Sequence, residues 1–295
     1  MSLFTDEYGT MAVQFAVLGS GSRGNASLVR SDGSCLLVDL GIGPRALEER
    51  LASVGADWDR VASALLTHTH GDHVNNYTLH AMARRQVSLY CHEGHREDLS
   101  RHTGFQSLDE AGLVRHYDDR PFLSTTGLRI EAVELSHERP TFGFRIEARA
   151  GRTRKAVAIG YVADTGIWSS RMADLLAEVD VFGVEFNHDV EMQRSSGRSP
   201  YLIARNLGDK GHLSNAQGAA FVEAVIARSS PGALRHVVLL HLSEQCNCPD
   251  LAIRTARSAV RKSGRRVVVH AALQAPAHPN VWLEPSRRRR AVKTH

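Results

Sequence analysis

Residues 65–74 read LLTHTHGDHV, in which an apolar run ends and is followed at once by three histidines and one aspartate. On an extended segment, side chains two positions apart point to the same side, so His68 and His70 can reach one ion together. The glycine that follows allows a sharp turn that would direct Asp72 and His73 toward a neighbouring position. Imidazole and carboxylate groups suit zinc, manganese or iron. The stretch therefore predicts a metal site directly behind a buried strand.

The composition is that of an ordinary globular protein, with 295 residues of which 42% are hydrophobic and 23% are charged. No apolar run approaches the roughly 18 residues that cross a membrane, and the opening MSLFTDEYGT lacks the basic start and apolar core of a signal peptide. We therefore expect a cytoplasmic protein without a membrane segment. The four cysteines form no disulfide framework or CxxC motif, so we interpret them as reduced thiols.

The positive charge of the chain is concentrated at its end. The formal net charge is +4, but residues 286–295 contain four arginines and one lysine, which leaves the rest of the chain at about −1. A body of that charge is not typical of a generally basic nucleic-acid-binding protein. We expect a loose leader over residues 1–11, one domain over residues 12–285 and a basic, disordered tail over residues 286–295.

Predicted strands come first in meanders and later alternate with helices, and no linker divides the chain. The Asp-Gly turn in SDGS predicts a hairpin, and apolar residues recur at helical spacing over residues 44–54. This order predicts one α/β domain whose sheets lie between layers of helices. The predicted strands are 14–18, 27–29, 35–39, 61–66, 87–91, 128–135, 141–148, 156–162, 179–185, 236–241 and 266–271, and the predicted helices are 44–54, 77–85, 171–178, 215–227 and 249–262.

Further potential ligands lie at or just after predicted strand ends elsewhere in the chain. They are Asp39 in LLVDLG, His137 in LSHERPTFGF, Asp164 in YVADTG and His241 in HVVLLH, and sheet proteins gather functional groups at such ends. Together with THTHGDH, these motifs resemble those of the metallo-β-lactamase superfamily over nearly the whole chain. The resemblance implies an α/β fold in the form of a four-layer αββα sandwich.

The resemblance also implies how the ligands are shared between two divalent metal ions. One metal would take His68, His70 and His137, the other would take Asp72, His73 and His241, and Asp164 would bridge both. Asp39 would support the loop that contains THTHGDH, called the metal loop below. Zinc or manganese is expected, and iron is compatible with the same ligands. Two such ions would lower the pKa of a bridging water and hold the resulting hydroxide for attack on phosphorus.

Four motifs narrow the resemblance to the YycJ/WalJ-like branch of the superfamily. They are LGSGSRGNASLV, VEFNHDVEM, the GHLSN of residues 211–215 and the HLSEQCN of residues 241–247. The implied activity is metal-dependent cleavage of nucleic-acid phosphodiester bonds, with exonuclease action on DNA favoured over RNA. Arg23 stands in the first motif at a position where the relatives usually carry a small residue.

Roles for other residues follow from their places in these motifs. Asp72, besides binding metal, is a candidate catalytic residue that orients the attacking hydroxide. His212 is the candidate proton donor to the leaving oxygen, because its place is similar to that of the catalytic histidine of ribonuclease Z. A purely structural role at the start of the helix that Ser214 caps stays open for His212. The predicted substrate-binding residues are Ser22, Asn25, Asn187 and His188, whereas His92, His95 and His116 are expected at the surface.

Other activities stay open. A thioesterase or lactonase would use the same hydroxide on a carbonyl but would lack the NHD and GHLSN motifs. A flavodiiron oxidoreductase is disfavoured because such relatives carry a glutamate at the position of His70 and need a flavin domain. A scaffold that has lost its chemistry is disfavoured because all seven ligands are present. A small cyclic phosphodiester stays a possible substrate, since a long nucleic-acid track should show clustered Lys and Arg.

Overall fold

The computed structural model describes residues 12–148 and 156–284, which form two seven-stranded sheets packed face to face. The leader (1–11) and the arginine-rich tail (286–295) lie outside the described residues, so the domain boundaries stay predictions. Within the described part of the chain, no helix combines the length and apolar content that a membrane crossing requires. All four cysteines are free thiols, as expected.

The first sheet combines the N-terminal part of the chain with one C-terminal strand. In spatial order its strands are β14 (Asn280–Leu283), β1 (Val13–Gly19), β2 (Ala26–Ser31), β3 (Ser34–Val38), β4 (Val61–Leu65), β5 (Ser88–His92) and β6 (Val114–Tyr117). Neighbours from β14 to β3 are antiparallel, whereas those from β3 to β6 are parallel. Helices connect the parallel strands, namely α1 (Pro44–Ser53), α2 (Asn76–Arg84), α3 (Arg96–Leu99) and α4 (Thr103–Glu110).

The second sheet contains the strands that follow. In spatial order they are β13 (Val268–Ala271), β12 (His236–Leu240), β11 (Val181–Glu185), β10 (Val157–Val162), β9 (Thr141–Ala148), β8 (Arg129–Leu135) and β7 (Phe122–Leu123). Strands β7 to β10 form an antiparallel meander, and β10 to β13 are parallel. The connections carry α5 (Ser170–Leu175), α6 (Val190–Arg194), α7 (Pro200–Leu207), α8 (Asn215–Arg228) and α9 (Pro249–Lys262).

Three apolar layers hold these elements together. The inner layer lies between the two sheets and includes the fully buried Phe15, Phe144 and Tyr161. One outer layer packs α1, α2 and α4 on the first sheet, and the other packs α5, α8 and α9 on the second sheet. Each of these helices buries one apolar face against a sheet, which is the pairing that stabilises layered folds. The expected four-layer αββα sandwich is confirmed.

Candidate metal centre

The candidate site lies where strands of both sheets end. Asp39 directly follows β3, Asp164 lies two residues after β10, and His241 directly follows β12. All three residues have a positive φ, of 66°, 58° and 55° respectively. Residues other than glycine rarely adopt this conformation, and it is concentrated at functional sites. At each of the three strand ends, the backbone thus leaves the strand conformation at the residue that supplies a polar side chain to the site.

Three histidines bring ring nitrogens to one point. Nε2 of His68 lies 3.0 Å from Nδ1 of His70, which lies 3.2 Å from Nε2 of His137. Nitrogens held at 2.0–2.1 Å from one tetrahedral zinc ion would be about 3.3 Å apart. Burial lowers the pKa of all three histidines, to about 4 for His70. The three rings are therefore neutral at pH 7, which is the form that binds metal.

Asp72, His73 and His241 form a second group, and Asp164 lies between the two groups. Oδ2 of Asp164 is 2.8 Å from Nε2 of His73 and 4.0 Å from Nε2 of His68. The other oxygen, Oδ1, lies 2.9 Å from Nδ1 of His241. Oδ2 of Asp72 lies 3.5 Å from Nε2 of His73 and 3.3 Å from Nε2 of His241. The position of Asp164 is thus suited to a ligand shared by two ions.

The charges of this second group also suit cations. Oδ2 of the buried Asp164 contacts His73 but accepts no well-oriented hydrogen bond from the described residues. Burial lowers the pKa of His73, but Asp39 and Asp164 outweigh burial and raise it well above its usual value. The pKa of His241 is raised in the same way, chiefly by Asp164. The carboxylates thus favour positive charge in the site. Divalent ions can supply that charge in place of the histidine protons, and the nitrogen and oxygen donors fit such ions.

Asp39 orients His73 from behind. It is fully buried, its Oδ2 accepts a hydrogen bond from Nδ1 of His73 at 2.8 Å, and its Oδ1 accepts from the backbone N–H and the hydroxyl of Thr67 at 2.9 and 2.8 Å. Nδ1 of His73 is thereby occupied, which leaves Nε2 to face the rest of the site. A carboxylate in this position is the usual support of a metal-binding histidine.

Glu185 is a site residue that the motifs did not predict. It ends β11, is fully buried, and its Oε1 lies 2.8 Å from Nδ1 of His212 and 3.1 Å from Nδ1 of His241. Its Oε2 accepts hydrogen bonds from the backbone N–H groups of Thr165 and Leu213. A glutamate that ends the otherwise apolar strand VFGVE was the available signal, because such residues are almost never fully buried without partners.

The partners of His212 keep it protonated. Burial lowers its pKa, but Glu185 and Asp164 outweigh burial and raise the pKa to about 9. Nδ1 of His212 is 2.8 Å from Glu185 and 3.2 Å from Oδ1 of Asp164. His212 therefore carries a proton at neutral pH, held in place by two carboxylates.

A cavity of about 460 Å³ opens onto His212 and His241. Ser22 and Asn187, two of the four residues expected to bind substrate, lie in its wall. The wall contains two serine hydroxyls and three side-chain amides, which are groups able to donate hydrogen bonds to phosphate oxygens. The cavity is therefore the candidate substrate site.

The other two residues expected to bind substrate, Asn25 and His188, are buried. Nδ2 of Asn25 lies 3.1 Å from Oδ2 of Asp72 and 2.9 Å from Nε2 of His73, which ties the loop between β1 and β2 to the metal loop. The carbonyl oxygen of His188 accepts from the backbone N–H of Asn215 at the start of α8. The geometry favours positioning roles for both residues, and direct substrate contact by them stays a prediction.

The expectation that His95 lies at the surface is wrong. His95 is fully buried, its Nε2 donates to the carbonyl oxygen of Pro140 at 3.0 Å, and its Nδ1 accepts from the backbone N–H of His92 at 3.2 Å. Both ring nitrogens are occupied by backbone groups. The ring therefore joins the turn after β5 to the segment that follows His137.

Comparison with known proteins agrees with this geometry. The sequence profile of the "Beta-lactamase superfamily domain" family matches residues 35–241, a range that contains all seven candidate ligands. The chain belongs to the metallo-β-lactamase superfamily. Proteins of this superfamily bind divalent metal ions.

Individual relatives show to which branch of the superfamily the chain belongs. Exodeoxyribonuclease YycJ of Bacillus anthracis is 31% identical over 258 residues, which cover 86% of this chain and 91% of the relative. Exodeoxyribonuclease WalJ of Streptococcus pneumoniae is 30% identical over 82% of this chain and 86% of the relative. The chain therefore belongs to the YycJ/WalJ branch. A solved structure, the metallo-β-lactamase fold protein YhfI from Bacillus subtilis, matches with a TM-score of 0.64 at 16% identity over 92% of this chain and all of that one, which supports the fold.

Proposed function

We propose that this chain hydrolyses phosphodiester bonds of nucleic acid with two divalent metal ions, and that it acts as an exonuclease on DNA. The observation that carries the proposal is the convergence of seven histidine and aspartate side chains in one cluster, with Asp164 between the two groups of proposed ligands. The relatives named exodeoxyribonucleases support the choice of DNA.

The proposed ligands keep the division that the motifs imply. One ion is assigned to His68, His70 and His137, the other to Asp72, His73 and His241, and Asp164 to both. When bound, such a pair of ions supplies a nucleophilic water at neutral pH and neutralises charge on the phosphate oxygens. Zinc or manganese is proposed, and the same nitrogen and oxygen donors suit iron.

Asp72 is proposed to orient the attacking water. Hydrogen bonds from His241 and His73 outweigh burial, which would raise its pKa, and hold the pKa of Asp72 well below its usual range. The carboxylate therefore stays ionised and accepts hydrogen bonds. Its side chain is 22% exposed, whereas that of Asp164 is 2% exposed, so Asp72 is the carboxylate that water reaches more easily.

His212 is proposed to protonate the leaving oxygen. Its Nδ1 is bound to Glu185, so Nε2 is the ring atom left for the cavity that His212 lines. Transfer of the Nε2 proton to the departing oxygen leaves a neutral imidazole, and Glu185 holds the ring in the same orientation. General acid catalysis of this kind contributes about 10²–10⁴-fold to the rate.

The test must separate phosphodiester from carbonyl chemistry, because a thioesterase or lactonase could use the same ligands. Purified protein supplied with zinc or manganese is assayed with bis-p-nitrophenyl phosphate, a thioester, and end-labelled DNA and RNA strands of one sequence. We expect hydrolysis of the phosphodiester and stepwise shortening of DNA from one end. Hydrolysis of the thioester alone would overturn the proposal. Internal cleavage of RNA in preference to DNA would show that the substrate is RNA and that the enzyme is not an exonuclease.

A further inference from the structure

The segment around α7 supplies two arginines to the cavity that contains His212 and His241. Arg198 and Arg205 both line it, and none of the described residues in the cavity wall has a carboxylate. A strand whose scissile phosphate lies near His212 and His241 would therefore continue along a wall that carries positive charge. Clustered cations beside a polyanion's path are the electrostatic signature of nucleic-acid binding.

The two arginines differ in how their charge is balanced. Arg205 forms a two-point ion pair with Glu138, so its charge is neutralised locally. Nε and Nη2 of Arg198 instead donate to the neutral amide oxygen of Gln245, at 3.2 and 2.8 Å, and Arg198 has no carboxylate partner within the described residues. A guanidinium held by a neutral acceptor keeps its full charge. Its remaining N–H groups can bind phosphate oxygens.

Tyr201 adds an aromatic ring on the same helix as Arg205. The residue is 79% exposed, and it precedes Leu202, which lines the cavity. Tyr201 and Arg205 are four residues apart on α7 and therefore lie on the same helix face. An exposed ring beside guanidinium groups is the combination that binds single strands, because the cations hold phosphates and the ring stacks on a base.

We propose that Arg198 binds the phosphate next to the scissile one and that Tyr201 stacks on a base of the same segment. The substrate would then be a nucleic-acid strand with at least two consecutive phosphates and an unpaired base at its end, rather than a small cyclic phosphodiester. This inference rests on the proposed phosphodiesterase function and adds to it the residues that hold the strand beyond the scissile phosphate.

The first test compares a dinucleoside monophosphate, which has only the scissile phosphate, with a trinucleotide that has two phosphates. For Arg198→Gln we expect the ratio of kcat/KM on the trinucleotide to kcat/KM on the dinucleoside monophosphate to fall about tenfold. Arg194→Gln is the matched control, because Arg194 is an exposed arginine of α6 that pairs with Glu191. An unchanged ratio for Arg198→Gln, or an equal loss on both substrates, would overturn the proposal.

The second test measures stacking by fluorescence anisotropy with a labelled hexathymidylate. Tyr201→Ala is expected to weaken binding about fivefold or more, whereas Tyr201→Phe keeps the ring and should bind within about twofold of the wild type. If both variants lost affinity equally, or if Tyr201→Ala lost none, Tyr201 would not bind a base by stacking.

Binding also separates this inference from the proposed function. Loss of one phosphate contact should reduce the slope of log K against log salt by about 0.7 in Arg198→Gln, and this needs no hydrolysis. If wild-type protein with zinc or manganese fails on bis-p-nitrophenyl phosphate, the proposed function is wrong. An unchanged slope and affinity in Arg198→Gln would refute the strand-binding role, whatever the outcome of the hydrolysis assay.

Discussion

At the scale of single residues, the partners of each histidine ring decide its chemical role. His70 has only other imidazoles near its Nδ1, and burial keeps it neutral, as a ligand requires. His212 faces two carboxylates and keeps a proton. His95 has a backbone group at each nitrogen and is structural. One residue type thus accounts for a proposed ligand, the proposed acid and a structural link in a single chain.

The proposed acid can be tested through the leaving group. In His212→Ala, turnover of DNA should fall about 10²–10⁴-fold because an alkoxide leaving group needs a proton. The loss on bis-p-nitrophenyl phosphate should be much smaller, since p-nitrophenolate leaves without one. Steady-state kinetics on both substrates, with metal content measured alongside, check this. Wild-type turnover of DNA in a variant that keeps its metals would remove His212 from the mechanism.

The buried His95 should lower the free energy of unfolding in acid. Burial lowers its pKa to about 4, from 6.5 in the unfolded chain, so the unfolded state binds the proton first as the pH falls. The contribution is complete above pH 6.5 and is lost as the pH falls toward 4. Between pH 7 and pH 5 this loss is about 2 kcal/mol.

Urea unfolding of the wild type and His95→Gln at both pH values isolates this contribution. Glutamine does not titrate, so the variant should lose about 2 kcal/mol less between pH 7 and pH 5 than the wild type. Equal losses in the two proteins would show that His95 does not carry the acid sensitivity.

The sequence made some of these roles predictable and others not. His68, His70, Asp72 and His73 lie within a few positions, so their chemistry is visible in a short motif. The roles of Glu185 and His95 depend on distant partners, since Glu185 meets His212 27 residues later and His95 meets Pro140 45 residues later. The position of Glu185 at the end of an apolar strand was visible in the sequence, but its partner His212 was not.

At the scale of elements, the metal loop is held by a close approach of three backbone segments. The backbone N–H of Asn25 donates to the carbonyl oxygen of Asp72 at 2.7 Å, and that of Gly41 donates to Asn25 at 2.9 Å. A Cβ at Gly41 would lie 1.7 Å from the carbonyl oxygen of Asp72. Only glycine fits at this position without displacing the loop that carries the proposed ligands Asp72 and His73.

Gly41→Ala should therefore lower both stability and metal content. Overpacking of this kind costs about 1–3 kcal/mol, and the displaced loop moves Asp72 and His73. Gly43→Ala is the control, because a Cβ there meets no atom within 4 Å and the change at the N-cap of α1 costs less than about 1 kcal/mol. Thermal unfolding and elemental analysis of both variants check this, and equal behaviour of the two would contradict it.

Most long elements were predictable because one apolar face gives a clear period. The prediction for β9 has the observed bounds, and that for β4 differs by one residue. Helix α4 was missed because it is short and depends on tertiary packing, with Gly104 so close to α2 that a Cβ would lie 2.6 Å from the carbonyl oxygen of Asn76. Helix α7 was also missed, although Ser199 followed by Pro200 is a recognised helix start.

At the scale of the whole molecule, the site joins the two halves of the sandwich. His68 and His73 come from loops of the first sheet, whereas Asp164 and His241 come from the second. Ions held by both sets would bind the folded chain and not the unfolded one. The sandwich was expected from the resemblance, but pairings such as that of β1 with β14 join opposite ends of the chain and had no local signal.

Removal of metal should therefore lower the melting temperature of the entire fold. Without cations the site contains several buried carboxylates close together, so we expect chelation to reduce Tm by at least about 5 °C. Calorimetry before and after dialysis against a chelator measures the change, and zinc or manganese should restore the original value. A Tm that does not respond to chelation would argue against ions shared by the two halves.

The most direct test is the number of divalent metal ions per chain in protein purified without chelator. Elemental analysis should find about two ions in the wild type, about one in His137→Ala, and two in the His95→Gln control, which leaves every proposed ligand in place. A wild type without stoichiometric divalent metal, or a His137→Ala variant that keeps both ions, would contradict the dinuclear centre.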